Sequence, residues 1–414
     1  MSTVQTTAGG MPPQARRLKL ARLAVFAAFF VNGFMVGHWA TKIPVLVERL
    51  GMSEVVLGRL IILFGIGAVI ALIGGAWMVT RLGSVAVVRW TSVLLAPSLV
   101  FLTLAPSVPA AALALLWLGT FLGAMDNAMN ANGIGVEKAA GRPAMSSFHG
   151  FWSLGGMVGG LTGGAMIVTL GEMGHALAVG AIGLAVALWA WRHYRPDNFT
   201  RNDGGTQKAG ARPRGGVPRD AGIYGLGILT LLAFAPEGTV IDWSALYLRD
   251  ELGAPLIVSG YAFAAFSATM ATMRFFGDSL RTRFGDRPVF VVSAALAATG
   301  LAIAGTAPGF IVACAGFFIA GLGMANMVPI LFSAAGAYRG LPPAVAIAVI
   351  TTFGYGGLLF MPAFVGVLAE TFSLALVFAG WSVIVLAVGL SALLINYLPS
   401  RSSGSADSAS ARKS

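Results

Sequence analysis

Asp126, Glu237, Asp242 and Arg274, together with His38 and His149, are ionisable residues set inside long apolar runs. An acid or base at the centre of a bilayer costs about 2.5–3.5 kcal/mol on insertion scales, so such groups face a partner or a water-reachable cavity. Asp126 and Asn130 are spaced i and i+4, with Asn127 beside them, which places all three on one broad helical face. A carboxylate with two carboxamides can bind hydroxyls, amides or a cation; the same groups can also hold two helices together. Glu237 lies between Pro236 and Gly238, residues that loosen a helix around the acid and can expose its backbone to a solute. An acid in such a position can load and release a proton as its cavity turns from one side to the other. Glu237 is therefore the first proton-coupling candidate, with Asp126 as the second.

Further cavity candidates come from the same periodicity. Asn32 and Trp39 are seven residues apart on one face, and His149 shares a face with Trp152 and Ser153. Asn326 and Tyr355 are weaker candidates of the same kind. Asp242 falls near a membrane boundary and reads as a gating or capping residue. Arg274 reads more readily as a gate-stabilising charge than as a substrate anchor, and a pair with Glu237 is the structural alternative. The chain has one cysteine, Cys314, which excludes an intrachain disulfide, and its histidines show no metal-ligand spacing. No nucleophile elbow surrounds Ser153, so no enzyme, no cofactor and no metal is expected.

The elements that position these residues follow from composition. Charged residues make up 10% of the chain and the hydrophobic set 57%, too little charge to cover a soluble surface of this length. Twelve apolar runs are long enough to span a bilayer as helices. They fall near 20–41, 55–79, 88–105, 110–135, 146–170, 176–191, 221–243, 256–277, 288–306, 309–333, 343–368 and 372–396. The first is too long for a cleaved signal segment and is read as retained. The fold class is all-α membrane protein, with a six-helix bundle over 16–195, a cytoplasmic linker over 196–220, a second bundle over 221–397 and a disordered cytoplasmic tail over 398–414. With the N-terminus in the cytoplasm, 22 of the 27 basic residues are cytoplasmic, so both termini are expected there. Because the basic residues follow membrane topology, nucleic acid is not an expected partner.

The halves repeat. Leu50-Gly51 with Gly58 returns as Leu252-Gly253 with Gly260, and Arg81-Leu82-Gly83 returns as Arg283-Phe284-Gly285, all at one offset of 202 residues. Six helices separate the copies, so the repeat is parallel, about an axis along the membrane normal. Helix 5 carries two small-residue ladders, Gly155/Gly159/Gly163 and Gly156/Gly160/Gly164, which permit close helix contact in static packing or at a rocking interface between halves.

This arrangement resembles the major facilitator superfamily. That family carries Gly-x-x-x-Asp-Arg-x-Gly after helix 2; here Arg81 and Gly83 remain, with Thr80 at the acidic position and Ala76 at the first glycine, and the second copy keeps Arg283 and Gly285. The resemblance implies gating roles for these four residues, with Asp278 or Asp286 as substitute acids. Trp39-Ala40-Thr41-Lys42-Ile43-Pro44, His149-Gly150-Phe151-Trp152 and Glu237-Gly238 look like a bacterial inner-membrane branch distantly similar to the fucose-permease group. It implies that helices 3, 6, 9 and 12 are peripheral and that the protein is a monomeric inner-membrane carrier in the lipid bilayer. The expected function is alternating-access transport of a small organic solute, with proton-coupled uptake of a polar metabolite first. Proton-driven efflux of an amphipathic compound and a non-transporting receptor are the alternatives.

Overall fold

The structure is a computed structural model, and it describes residues 13–141, 144–196 and 220–394. All regular structure among the described residues is helical. An apolar chain in lipid has no water for its peptide groups, and a helix satisfies them within the segment. Eleven helical stretches have the length and apolarity of a membrane span. One of them, Met145–Trp191, has 47 residues and breaks at Gly171, whose φ of 71° and ψ of 169° are not helical. That break makes two span-length helices, so the described residues hold twelve.

We number the passes α1 (Pro13–Leu50), α2 (Glu54–Leu82), α3 (Ser84–Leu104), α4 (Val108–Ala140), α5 (145–170), α6 (172–191), α7 (Ala221–Leu246), α8 (Tyr261–Phe284), α9 (Asp286–Gly305), α10 (Phe310–Gly336), α11 (Pro343–Thr371) and α12 (Leu374–Leu394). With an even number of passes, α1 begins and α12 ends on the same face, here termed the termini face. The expected first span ended near 41, whereas α1 runs on to Leu50 through Pro44, so Lys42 and Arg49 are helical residues rather than loop cations. The expected linker and tail, over 196–220 and 398–414, lie almost wholly outside the described residues.

The internal repeat is visible in the backbone itself. Gly51 and Gly253 have φ of 60° and 63°, and Gly83 and Gly285 have φ of 83° and 88°. Each of these four turns needs a conformation that glycine adopts without steric cost. The two glycine ladders of α5 face different neighbours. A Cβ on Gly159 would lie 2.7 Å from the Phe34 carbonyl oxygen of α1, and one on Gly163 would collide with the Thr41 side chain. A Cβ on Gly160 would lie 2.8 Å from the Gly260 carbonyl oxygen, just before α8, and one on Gly164 2.7 Å from that of Ile257. One ladder therefore builds the first half, and the other joins it to the second.

The halves also meet along α2–α11 and α1–α7, while α3, α9 and α12 make their main contacts within their own halves. On the face opposite the termini the closure is dense. A Cβ on Gly58 would lie 2.6 Å from the Pro362 carbonyl oxygen, Glu48 pairs with Arg249, and Glu370 of α11 accepts the Val55 N–H in the first turn of α2.

A candidate solute and proton site between the halves

A string of polar side chains crosses the middle of the bundle. The Asn32 side chain, 1% exposed, donates from Nδ2 to the Leu122 carbonyl oxygen of α4 at 3.1 Å. Its Oδ1 accepts the Trp152 indole N–H at 2.9 Å. The Arg274 guanidinium lies 5.9 Å from the Trp152 ring centroid, within cation–π range. Arg274 donates to Ser153 Oγ at 2.6 Å and to Glu237 Oε1 at 3.4 Å. The string therefore runs α4–α1–α5–α8–α7, and Arg274 is its junction between halves.

The Arg274–Glu237 contact is loose. A charge-assisted N–H···O bond is commonly about 2.7–2.9 Å, and Arg–carboxylate pairs are often bidentate. Here one oxygen engages at 3.4 Å, and the side chains are 20% and 15% exposed, so neither is sealed by packed protein on every side. Pro236 sits inside α7 and leaves the helix short of one backbone N–H beside Glu237. Such a pair can exchange its partner more readily than a sealed bidentate one. Arg274, expected at the gate, is thus the counter-charge of the leading acid.

The other candidates are distributed around this string. Asn130 donates to the Asp126 carboxylate at 3.2 Å and to its carbonyl oxygen at 2.8 Å, one turn along α4 from Leu122. Asn127 turns instead to the Ala71 carbonyl oxygen of α2 at 3.4 Å, in space left by Gly75. His149 packs edge-on against Phe29, with ring centroids 5.0 Å apart. Asn326 is buried with its Oδ1 pressed against Gly277 of α8. Asp242 and Gly238 line a narrow cleft with Thr239, Trp243, Met361 and Pro362 of about 10 Å³, room for about one water molecule and far short of a solute. Trp39 is buried and stacked with Phe64 at 6.5 Å. The Tyr355 side chain lies outside the described residues.

The loop residues sort unequally. Arg81 lies over the Trp77 ring at 5.8 Å, and Arg283 lies over Phe284 at 5.3 Å. The acids Asp286 and Asp278 pair with Arg281, at 2.8 Å and 3.8 Å, and Arg281 also donates to Ser333 at 2.7 Å. Ser146 of α5 donates to Asp278 at 3.2 Å, so this clasp touches both halves. At the matching place in the first copy, Ser84 accepts from Asn132 at 3.0 Å, a neutral bond.

Sequence reasoning missed a second cluster. His38 Nδ1 lies 3.0 Å from His175 Nε2, and Lys42 and Arg49 both approach Glu172, at 3.2 Å and 3.4 Å. The spacings His38–Lys42 and Glu172–His175 are i,i+4 and i,i+3, a signal that each pair shares a helical face.

Comparison with known proteins agrees with this architecture. Residues 226–414 match the family model described as Major Facilitator Superfamily. An uncharacterized transporter of Sinorhizobium fredii, y4wD, is 33% identical over 370 residues, covering 88% of this chain and 95% of that protein. An uncharacterized MFS-type transporter of Yersinia pestis is 32% identical over 366 residues, covering 88% and 93%. The chain belongs to the major facilitator superfamily. It is a multi-pass membrane transporter of that type and not an enzyme. The nucleoside transporter NupG superposes with a TM-score of 0.72 at 14% identity, over 90% of this chain and 99% of that one. An inward-facing bacterial homologue of the human lysosomal transporter Spinster gives 0.70 at 16%, over 95% and 100%. At such identities the likeness is one of fold.

Proposed function

We propose that this superfamily member is a proton-coupled importer of a small polar metabolite, working by alternating access as a monomer in a bacterial inner membrane. The termini face is cytoplasmic in this reading, because it holds most of the basic residues. The observation that carries the proposal is the loose Glu237–Arg274 pair at the junction of the halves. A proton on Glu237 removes the charge that holds Arg274, which then turns to the incoming solute beside Trp152 and Ser153. When the solute leaves, Arg274 returns to Glu237 and the proton departs. Asn32 fixes the Trp152 ring, and Asp126 with Asn130 supplies hydrogen-bonding groups one helical turn away.

The test uses purified protein in proteoliposomes, with the solute first identified by a thermal-shift screen. Glu237→Gln is expected to abolish solute-driven proton movement and to spare counterflow of labelled solute. Unchanged proton movement in that variant ends the assignment. Proton movement opposite in direction to the solute, in the unaltered protein, converts the reading to efflux.

A further inference from the structure

The outer end of α1 carries a buried pair of bases that the mechanism above does not use. His38 and His175 are fully buried, and their facing nitrogens are 3.0 Å apart. At that distance one ring donates its N–H and the other accepts. The outward nitrogens, His38 Nε2 and His175 Nδ1, find no hydrogen-bond partner. A neutral pair must therefore leave one bare lone pair in the interior, whichever tautomers are present. That lone pair is an open position for one proton.

Charged neighbours set what the proton would do. Lys42 and Arg49 of α1 share the single carboxylate of Glu172, at the start of α6. On the α3 side the corner presents the carbonyl oxygens of Leu102 and Ala105, both bonded to Arg49. Phe34 packs against His38 with ring centroids 4.3 Å apart, and α5 faces this stretch with Gly163 against Thr41. The nearest charges on α2, Glu54 and Arg59, act on Asp250 and Glu370 of the second half. A proton on the histidine pair thus adds positive charge where two cations already share one anion, in a medium that screens it poorly. The same segment of α1 holds the closed face, through Trp39 beside Asp242 and through Glu48 paired with Arg249.

We propose that His38 and His175 form a proton-binding site, separate from Glu237, whose occupation drives the outer end of α1 away from α6 and opens the face opposite the termini. The step forms one N–H bond at the bare imidazole nitrogen, with the proton drawn from solvent. It does not depend on Glu237 carrying a proton.

Two measurements test it in lipid nanodiscs. The chain has four histidines, so ¹⁵N-histidine NMR resolves the pair without any substitution beyond those used for assignment. The two rings are expected to share one hydrogen bond and to respond together to a single proton, on the acid side of a free histidine; independent titration of the rings, or none between about pH 7 and 4, overturns the site. For the opening, spin labels replace Ser107 and Phe372, both exposed on the closed face, in a Cys314→Ser background. The longer-distance population is expected to grow at least about five-fold across that pH range, a modest coupling, and not to grow in His175→Gln or His38→Gln. Growth that persists in both variants overturns the link to α1, and Glu237→Gln is expected to leave it in place.

Discussion

The two glycine ladders of α5 have the same spacing and do different work. Toward α1 the contact is backbone on backbone: Gly33, Gly37, Gly155 and Gly159 each have a carbonyl oxygen of the partner helix where a Cβ would go. Toward α8 the contact is tight at the closed face and cushioned by side chains further in, where a Cβ on Gly156 would lie 3.2 Å from the Phe263 and Ser267 side chains. Along those four positions the first seam has no compliant side-chain layer, with only Thr41 against Gly163 beyond them, and it behaves as one body. The second can part from one end, as a joint between halves must. The seam that corresponds to α1–α5 in the second half, α7–α11, is side-chain filled: a Cβ on Gly227 would lie 2.9 Å from the Phe353 ring, and one on Gly357 2.7 Å from the Leu231 side chain. Rigidity is thus concentrated in the half that holds Asn32, Trp152 and the histidine pair.

The largest break in this comparison comes from Gly33→Ala. Its methyl group would overlap the Trp152 carbonyl oxygen, so α1 and α5 must separate. Overpacking of this kind costs about 3 kcal/mol at the upper end of its usual range, and thermal unfolding in detergent is expected to show a clear loss of stability with low folded yield. A smaller effect follows from Gly160→Ala, where the methyl group would stand 2.8 Å from the Gly260 oxygen and 3.1 Å from Ala264. The protein is expected to fold, with the population open at that face raised several-fold for about 1 kcal/mol. A cysteine replacing buried Ser259, in the Cys314→Ser background, would report this as faster labelling. If the two variants lose equal stability and labelling does not change, the distinction between ladders is wrong. Smallest is Glu48→Gln at the ion pair with Arg249, where Glu48 is 69% exposed. A shift within about 1 kcal/mol, shrinking as salt is added, is expected in the same labelling assay.

The fold was legible because its main signal is local. Each apolar run reports its own helix, and the 202-residue offset reports the repeat without any knowledge of contacts. Pairing is not local, and the sequence reading stopped there. Both ladders of α5 could be read, but not that one faces α1 and the other α8. Glu237 stood out as an acid between proline and glycine; Arg274 was read first as a gate charge and its pair with Glu237 only as the alternative, because a long guanidinium stem brings its charge well away from its own backbone position. His38 was noticed and His175 was not, since 137 residues separate two rings that meet only after α1 packs on α6. The first span was expected to end near 41, which leaves Lys42 beyond it, whereas the helix continues through Pro44 to Leu50.

The bond from the Val55 N–H to Glu370 makes the start of α2 depend on a carboxylate that the other bundle owns. Opening that face strips the first turn of α2 of an acceptor for one of the N–H groups that a helix start leaves unpaired. Transport would then fray and re-form a helix end in every cycle, so that solvent exchange at the Val55 amide becomes a clock for how often the outer mouth opens.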